Sequence, residues 1–164
     1  MGDAGAGRRR QRPLAEESAV FPATVQQLDA VHAALGRFWE AVDRAVPAAF
    51  GRHDRVARAA FLTAVGEIGA NIVHHAYPRG APGTVRLRLR LYPDRVELRF
   101  SDRGRPFADA KPRRDREPLV QDADVFALAE GGRGLALAGL ALDELRYHRT
   151  PGGQNRWRLV KRLA

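Results

Sequence analysis

Apolar and polar residues alternate most regularly in the middle of the chain. Val85, Leu87, Leu89 and Leu91 take every second position, with Arg86, Arg88 and Arg90 between them, and Val96, Leu98 and Phe100 repeat the rhythm among Arg95, Glu97 and Arg99. A period of two is that of a strand with one face buried and one wet. The pattern predicts strands over 85–91 and 96–100, joined by a turn at Tyr92, Pro93, Asp94 and Arg95.

Upstream the period changes. Val25, Leu28, Val31, Leu35, Phe38 and Val42 recur at helical spacing, with Thr24 placed as an N-cap and Pro47 as the stop. A second stripe, Val56, Phe61, Val65, Ile68 and Ile72, predicts a helix that starts near Asp54 and ends before Pro78. Residues 18–23 read as a short first strand, and residues 1–17, rich in Gly, Ala, Arg and Glu with little periodicity, as a disordered leader. Residues 105–130 carry Pro106, Pro112, Pro118 and many charges with almost no apolar rhythm. Loops of that length in a compact domain are uncommon and often act as lids. Leu135, Leu137, Leu140 and Leu142 then predict a helix, 145–148 a strand, Thr150 to Gly153 a turn, and 157–163 a last strand. Early helices, a hairpin, a helix and a final hairpin suggest an α+β two-layer sandwich. Its sheet is mixed or antiparallel, its helices lie on one face and the arginines on the other.

Composition narrows the classes. At 164 residues, 45% hydrophobic and 29% charged, the chain suits one globular domain over 18–164 after the leader. It has no cysteine, so disulfides and thiolate metal sites are excluded. No continuous run of 18 or more apolar residues marks a membrane span, and the N-terminal arginines lack the apolar segment of a signal peptide; the expected location is the cytoplasm. A net charge of +9 invites a nucleic-acid reading, but Lys111 and Lys161 are the only lysines and the arginines are spread along the chain, as a solvated strand face would have them. No direct nucleic-acid contact is expected; a basic nucleic-acid-binding protein stays as a reading that rests on charge alone.

Three short motifs carry the chemistry. Glu67 and Asn71 are four residues apart and share a helical face, and His75 is expected one turn further along it. A carboxylate there can take a proton from an attacking hydroxyl, and an amide oxygen can ligate Mg²⁺. A plain polar helix face is the alternative, though Ile68, Ala70, Ile72 and Val73 place the pair in an apolar segment. Asp102, followed by Arg103, Gly104, Arg105 and Pro106, comes straight after a strand. An acidic side chain at such a turn can accept a hydrogen bond from an exocyclic amine such as that of adenine, or can simply close an Asx-turn. Gly131, Gly132, Arg133 and Gly134 open a helix, where backbone N–H groups attract phosphate; a flexible helix start is the alternative. There is no Gly-Lys pair for a Walker A loop, Leu137 breaks the dinucleotide fingerprint, Ser18 and Ser101 sit in no nucleophile elbow, and His74-His75 lacks metalloprotease spacing.

In this order the motifs resemble the nucleotide site of the gyrase/histidine-kinase (Bergerat) ATPase superfamily, and within it the small RsbW-type anti-sigma-factor serine/threonine kinases, over roughly residues 20–163. The resemblance implies that Glu67 is the catalytic base, Asn71 the metal ligand, Asp102 with Gly104 the adenine reader, and Gly132, Arg133 and Gly134 the phosphate seat. It implies ATP and Mg²⁺ as cofactors, a sigma factor and an anti-anti-sigma protein as partners, and a homodimer. A Thr of the last strand usually supports the adenine-reading Asp; here Asn155 stands in that stretch and is expected to replace it. Pro106 is a departure from the Gly of the wider superfamily and is closer to the anti-sigma kinase branch. The alternative is a non-catalytic nucleotide-binding module that regulates by sequestering a partner.

Overall fold

The computed structural model describes residues 11–24, 26, 28–45, 54–78, 81–107 and 138–163. Five strands form one sheet: β1 (Ala15–Pro22), β2 (Thr84–Tyr92), β3 (Arg95–Asp102), β4 (Glu144–Arg149) and β5 (Asn155–Arg162). Their order across the sheet is β1-β2-β3-β5-β4, and every neighbouring pair is antiparallel. Helices α1 (Leu28–Ala45) and α2 (Asp54–Asn71) cover one face, α1 against β1 and β2, α2 against β5. This is the two-layer α+β arrangement that the patterning predicts, with an antiparallel sheet.

The core lies between the layers. Leu87, Leu89 and Leu91 of β2, Leu98 and Phe100 of β3 and Leu159 of β5 meet Leu35, Phe38 and Val42 of α1 and Phe61, Val65 and Ile68 of α2, all essentially without solvent exposure. Burying each such side chain contributes about 1.5–3 kcal/mol. Trp39 stands edge-on to Phe61, and the Arg58 guanidinium lies 4.5 Å over the Trp39 ring. The stretch Val56–Ala76 reaches the length and mean hydropathy of a membrane span, 21 residues at 1.3, an exception to the expectation that no segment does. Its large apolar residues Phe61, Val65, Ile68 and Ile72 are turned into this core.

Three boundaries move. β1 begins at Ala15, so it takes in residues 15–17 of the expected leader, and Glu16 pairs across to Arg90. Helix α1 begins at Leu28 rather than just after Thr24. The Ala23 N–H is held by Gly83 O and the Thr24 N–H by Pro22 O, both at 2.9 Å, so the chain there still belongs to the sheet edge and its turn. Helix α2 ends in a π-turn over Ile72–Ala76. A turn closed i to i+5 puts Ala76, not His75, one turn beyond Asn71, so His75 leaves the face that the α spacing gives it. The expected lid lies outside the described residues beyond Phe107, and so does the Gly131–Gly134 motif; residues 138–141 are helical.

Candidate functional site

Asp102 is the last residue of β3, and the register sets it directly opposite Asn155, the first residue of β5. Both are buried, at 3% and 2% exposure, on the helix-side face of the sheet. Asp102 Oδ1 accepts the Gly104 N–H at 2.8 Å, which closes the Asx-turn, and the Asn155 Nδ2–H at 2.8 Å. Its second oxygen, Oδ2, is buried and has no hydrogen-bond partner among the described residues. A buried acceptor left over after the turn is closed is uncommon in a folded protein and calls for an explanation. The Asx-turn thus takes one oxygen of the carboxylate and leaves the other open.

Burial pushes the Asp102 carboxyl above its ordinary value, against the pull of Asn155, the Gly104 N–H, Tyr77 and the Arg149 charge. Tyr77 stands near enough to bias the carboxylate, yet its hydroxyl makes its hydrogen bond with the Arg103 N–H, at 3.0 Å, and none of ordinary geometry with Oδ2. Burial also raises the Tyr77 hydroxyl, opposed by that N–H and reinforced by the Asp102 charge.

Asn155 is the hub. Its Nδ2 also donates to Gly104 O at 3.3 Å and Arg105 O at 3.0 Å, and its Oδ1 accepts from the Tyr147 hydroxyl at 2.8 Å and Arg149 Nη1 at 2.6 Å. Arg149 donates again to Gly104 O at 3.0 Å, and the Tyr147 hydroxyl accepts the Phe107 N–H at 3.0 Å. The Phe107 ring packs edge-on to Trp157, centroids 5.1 Å apart. Residues 103–107, which lead into the expected lid, are thus held to β4 and β5 by side chains of both strands. Tyr77, Tyr147 and Arg149 carry no sequence signal for this site. Tyr77 reaches it from the end of the π-turn, and Tyr147 and Arg149 because β4 lies beside β5, which no local pattern announces.

Gly104 joins this carboxylate to the helix that carries the first motif. A Cβ built on Gly104 would lie 2.6 Å from Ala76 O and 2.7 Å from Ala76 Cβ, and the Arg105 N–H donates to Ala76 O at 2.9 Å. Only glycine permits this approach. Asn71, which precedes the π-turn, and Glu67, one α-turn earlier, are partly buried between the fully buried Val65, Ile68 and Ile72. The structure so brings the end of α2, Asp102, Gly104 and Asn155 into one region. Gly132, Arg133 and Gly134 lie outside the described residues. No cluster of three His, Cys, Asp or Glu side chains suited to a metal occurs among the described residues.

A five-stranded antiparallel sheet covered on one face by helices, with a buried carboxylate at its inner end, is a two-layer α+β fold. Residues 21–161 match the family described as histidine kinase-like ATPase domain, and the chain belongs to that family. It is similar to proteins named serine-protein kinase RsbW: 35% identical over 89 residues to that of Bacillus subtilis (strain 168), covering 54% of this chain and 56% of the relative. It is 36% identical over 91 residues to that of Bacillus pumilus (strain SAFR-032), covering 54% and 56%, and 30% identical over 90 residues to that of Staphylococcus epidermidis, covering 54% and 57%. The matched stretch spans little more than half the length of these relatives.

Proposed function

We propose that the chain is an ATP-dependent protein serine/threonine kinase of the anti-sigma type, which phosphorylates an anti-anti-sigma protein and holds a sigma factor inactive. The observation that supports it most is the unclaimed, buried Oδ2 of Asp102. An adenine exocyclic amine is a donor of the kind that oxygen lacks, and the desolvated setting makes such a bond selective. Asn155 and the Gly104 N–H keep the other oxygen fixed, so the free one has one direction in which to accept.

ATP supplies the transferable phosphoryl group, and Mg²⁺ spreads the charge of its phosphates. Asn71 offers a hard amide oxygen toward the metal, of the type Mg²⁺ takes. Glu67, one turn from Asn71, receives the proton of the acceptor's hydroxyl at its carboxylate. The Gly132–Gly134 backbone and Arg133 seat the phosphates in this reading. The partners, the homodimer and the cytoplasmic setting follow from the likeness to the RsbW kinases and belong to the proposal.

The test is calorimetry of the whole chain with Mg-ATP, ADP and a guanine nucleotide, followed by intact mass of small candidate acceptor proteins after incubation with Mg-ATP. Adenine-selective binding and an acceptor heavier by one phosphoryl group are expected. Adenine binding with no phosphorylated acceptor, across acceptors that a known kinase of this type modifies, would replace the kinase reading with that of a nucleotide-gated sequestering module. No adenine binding would remove both.

A further inference from the structure

The other face of the sheet, turned away from both helices and from Asp102, carries an ordered array of arginines. The register sets Ser18, Arg88, Arg99, Arg158 and Arg146 in one row across β1, β2, β3, β5 and β4. The next row toward the Asp102 end is Val20, Arg86, Ser101, Arg156 and His148, and the row on the opposite side is Glu16, Arg90, Glu97, Val160 and Glu144. Like charges directly across antiparallel strands destabilise a sheet. Four arginines in line, with two more beside them, are therefore a burden on the fold that the glutamate row only partly relieves.

The relief is local. Glu97, its side chain 4% exposed, binds Arg158 at 2.9 Å, Arg95 at 2.8 Å and Arg99 at 3.4 Å. Glu144 holds Arg146 at 2.9 Å and also pairs with Arg158, and Glu16 pairs with Arg88 at 3.4 Å and Arg90 at 2.9 Å. Across the three rows seven arginines face three glutamates, an excess of four positive charges. Arg86 and Arg156 have no carboxylate partner among the described residues; Arg156 donates to Gln154 at 2.8 Å. Both, with Arg88, Arg99 and Arg146, line a hollow of about 510 Å³ in this face.

We propose that this face docks an acidic, amphipathic helical segment of a protein partner. Strands about 4.8 Å apart place the four aligned guanidinium groups over about 15 Å, the length of a helix of about ten residues. Guanidinium forks match carboxylates two bonds at a time. The apolar side of the segment has a counterpart as well: Val20, 60% exposed, stands on edge strand β1 in the same face, opposite Arg86. Nucleic acid fits less well. Single strands are held by stacking on outward aromatic rings, and here Phe100 and Trp157 point into the core while Tyr92 is 6% exposed. A second copy would bring the same positive excess against itself.

The test uses the intact chain and a fluorescent synthetic helix of Glu, Leu and Ala, read by anisotropy at fixed salt. Controls are the same helix with Gln for Glu and a labelled single-stranded oligonucleotide. Three variants are compared: Arg86→Ser with Arg156→Ser; Val20→Asp; and Arg37→Ser with Arg44→Ser, which removes the same charge from exposed positions of α1. The first two should weaken the acidic helix about tenfold or more, the size of a principal interface contact. The α1 pair should leave it within about twofold, and the Gln helix should not bind. The exposed sites keep the fold, which circular dichroism verifies, and Val20→Asp tests the face without touching an arginine. Equal weakening by the face and α1 pairs would reduce the effect to net charge and overturn the proposal. So would tighter binding of the oligonucleotide than of the acidic helix, or a wild-type dimer in sedimentation that the face variants dissolve.

Discussion

Replacing Asn155 with alanine removes one amide from five hydrogen-bonded contacts, and the loss can be followed atom by atom. Asp102 Oδ1 loses one of its two donors but keeps the Gly104 N–H at 2.8 Å; Gly104 O keeps Arg149 at 3.0 Å; Tyr147 keeps the Phe107 N–H at 3.0 Å. Arg105 O loses the donor that holds it at 3.0 Å. The bond to a charged acceptor contributes about 1.5–3 kcal/mol and each neutral one about 1 kcal/mol. Because water reaches Arg105, an exposed residue, its carbonyl is partly resatisfied. The net is about 3 kcal/mol of stability, or roughly 10 °C in melting temperature for a domain of this size. Urea melts measure it directly, and ADP titration measures whether a less firmly held Asp102 also binds adenine less well. Asn155→Asp is the sharper variant: it sets a second carboxylate where an N–H now lies 2.8 Å from Asp102. Two such groups cannot both ionise cheaply, so this variant should be the weaker at neutral pH and recover as the pH falls. An Asn155→Ala protein that melts within about 0.5 kcal/mol of wild type, the scatter of an ordinary surface change, with ADP affinity unaltered would refute the hub.

Asp102→Asn should weaken ADP about 10–100-fold, the equivalent of about 1.5–3 kcal/mol for a bond to a charged acceptor, and calorimetry decides. In wild type the raised Asp102 carboxyl binds its proton more tightly when folded than unfolded, so its burial disfavours the fold as pH rises through that range; a ligand N–H favours the ionised form, so ADP affinity should drop on acidification through the same range and stay flat in the Asn variant. Glu67→Gln should keep ADP affinity and reduce phosphoryl transfer by at least about a hundredfold, read by intact mass of the acceptor; undiminished transfer would release Glu67 from the role of base. Glu97 has the opposite linkage. Burial raises it, but the hydrogen bonds and charges of Arg158 and Arg95 outweigh burial and hold it below the usual carboxylate value. Its contribution is complete above the ordinary Glu value and is lost as pH falls through the folded one. Glu97→Gln should thus cost about 2 kcal/mol near neutrality, less than the roughly 3–5 kcal/mol of a fully buried pair because its arginines are partly exposed, and urea melts of the two proteins should converge in acid.

The parts of the fold that were legible in the sequence are those whose period is their own. Leu87 to Leu91 and Val96 to Phe100 announce their strands because one face is buried along their length. Ala15, Glu16 and Glu17 announce nothing: an edge strand needs only backbone pairing with β2, and its glutamates are held by Arg90 and Arg37 of other elements. The site divides in the same way. Asp102 and Gly104 could be singled out because strand, acid and glycine follow one another. That Asn155 meets Asp102 rests on β5 inserting between β3 and β4, and the roles of Tyr147 and Arg149 rest on the same strand order. The π-turn is a product of fit. Nothing in Ile72 to Ala76 distinguishes it from an α-turn until Ala76 has to meet Gly104.

That contact sets the unit in which such a site can be transplanted. Main chain meets main chain at Gly104 and Ala76, with no side chain between them to absorb a misfit. A chimera that imports a foreign strand end and turn around Asp102 while keeping the native helix, or the reverse, has to reproduce the extra residue of the wide turn or lose the bond from Arg105 to Ala76. One deletion between Ile72 and Ala76 restores α spacing and swings the helix end by about a residue's rotation, roughly 100°, off the glycine. The segments Glu67 to Ala76 and Asp102 to Arg105, 26 residues apart at their nearest ends, are accordingly one exchangeable cassette, and recombination between related chains should respect both breaks or neither.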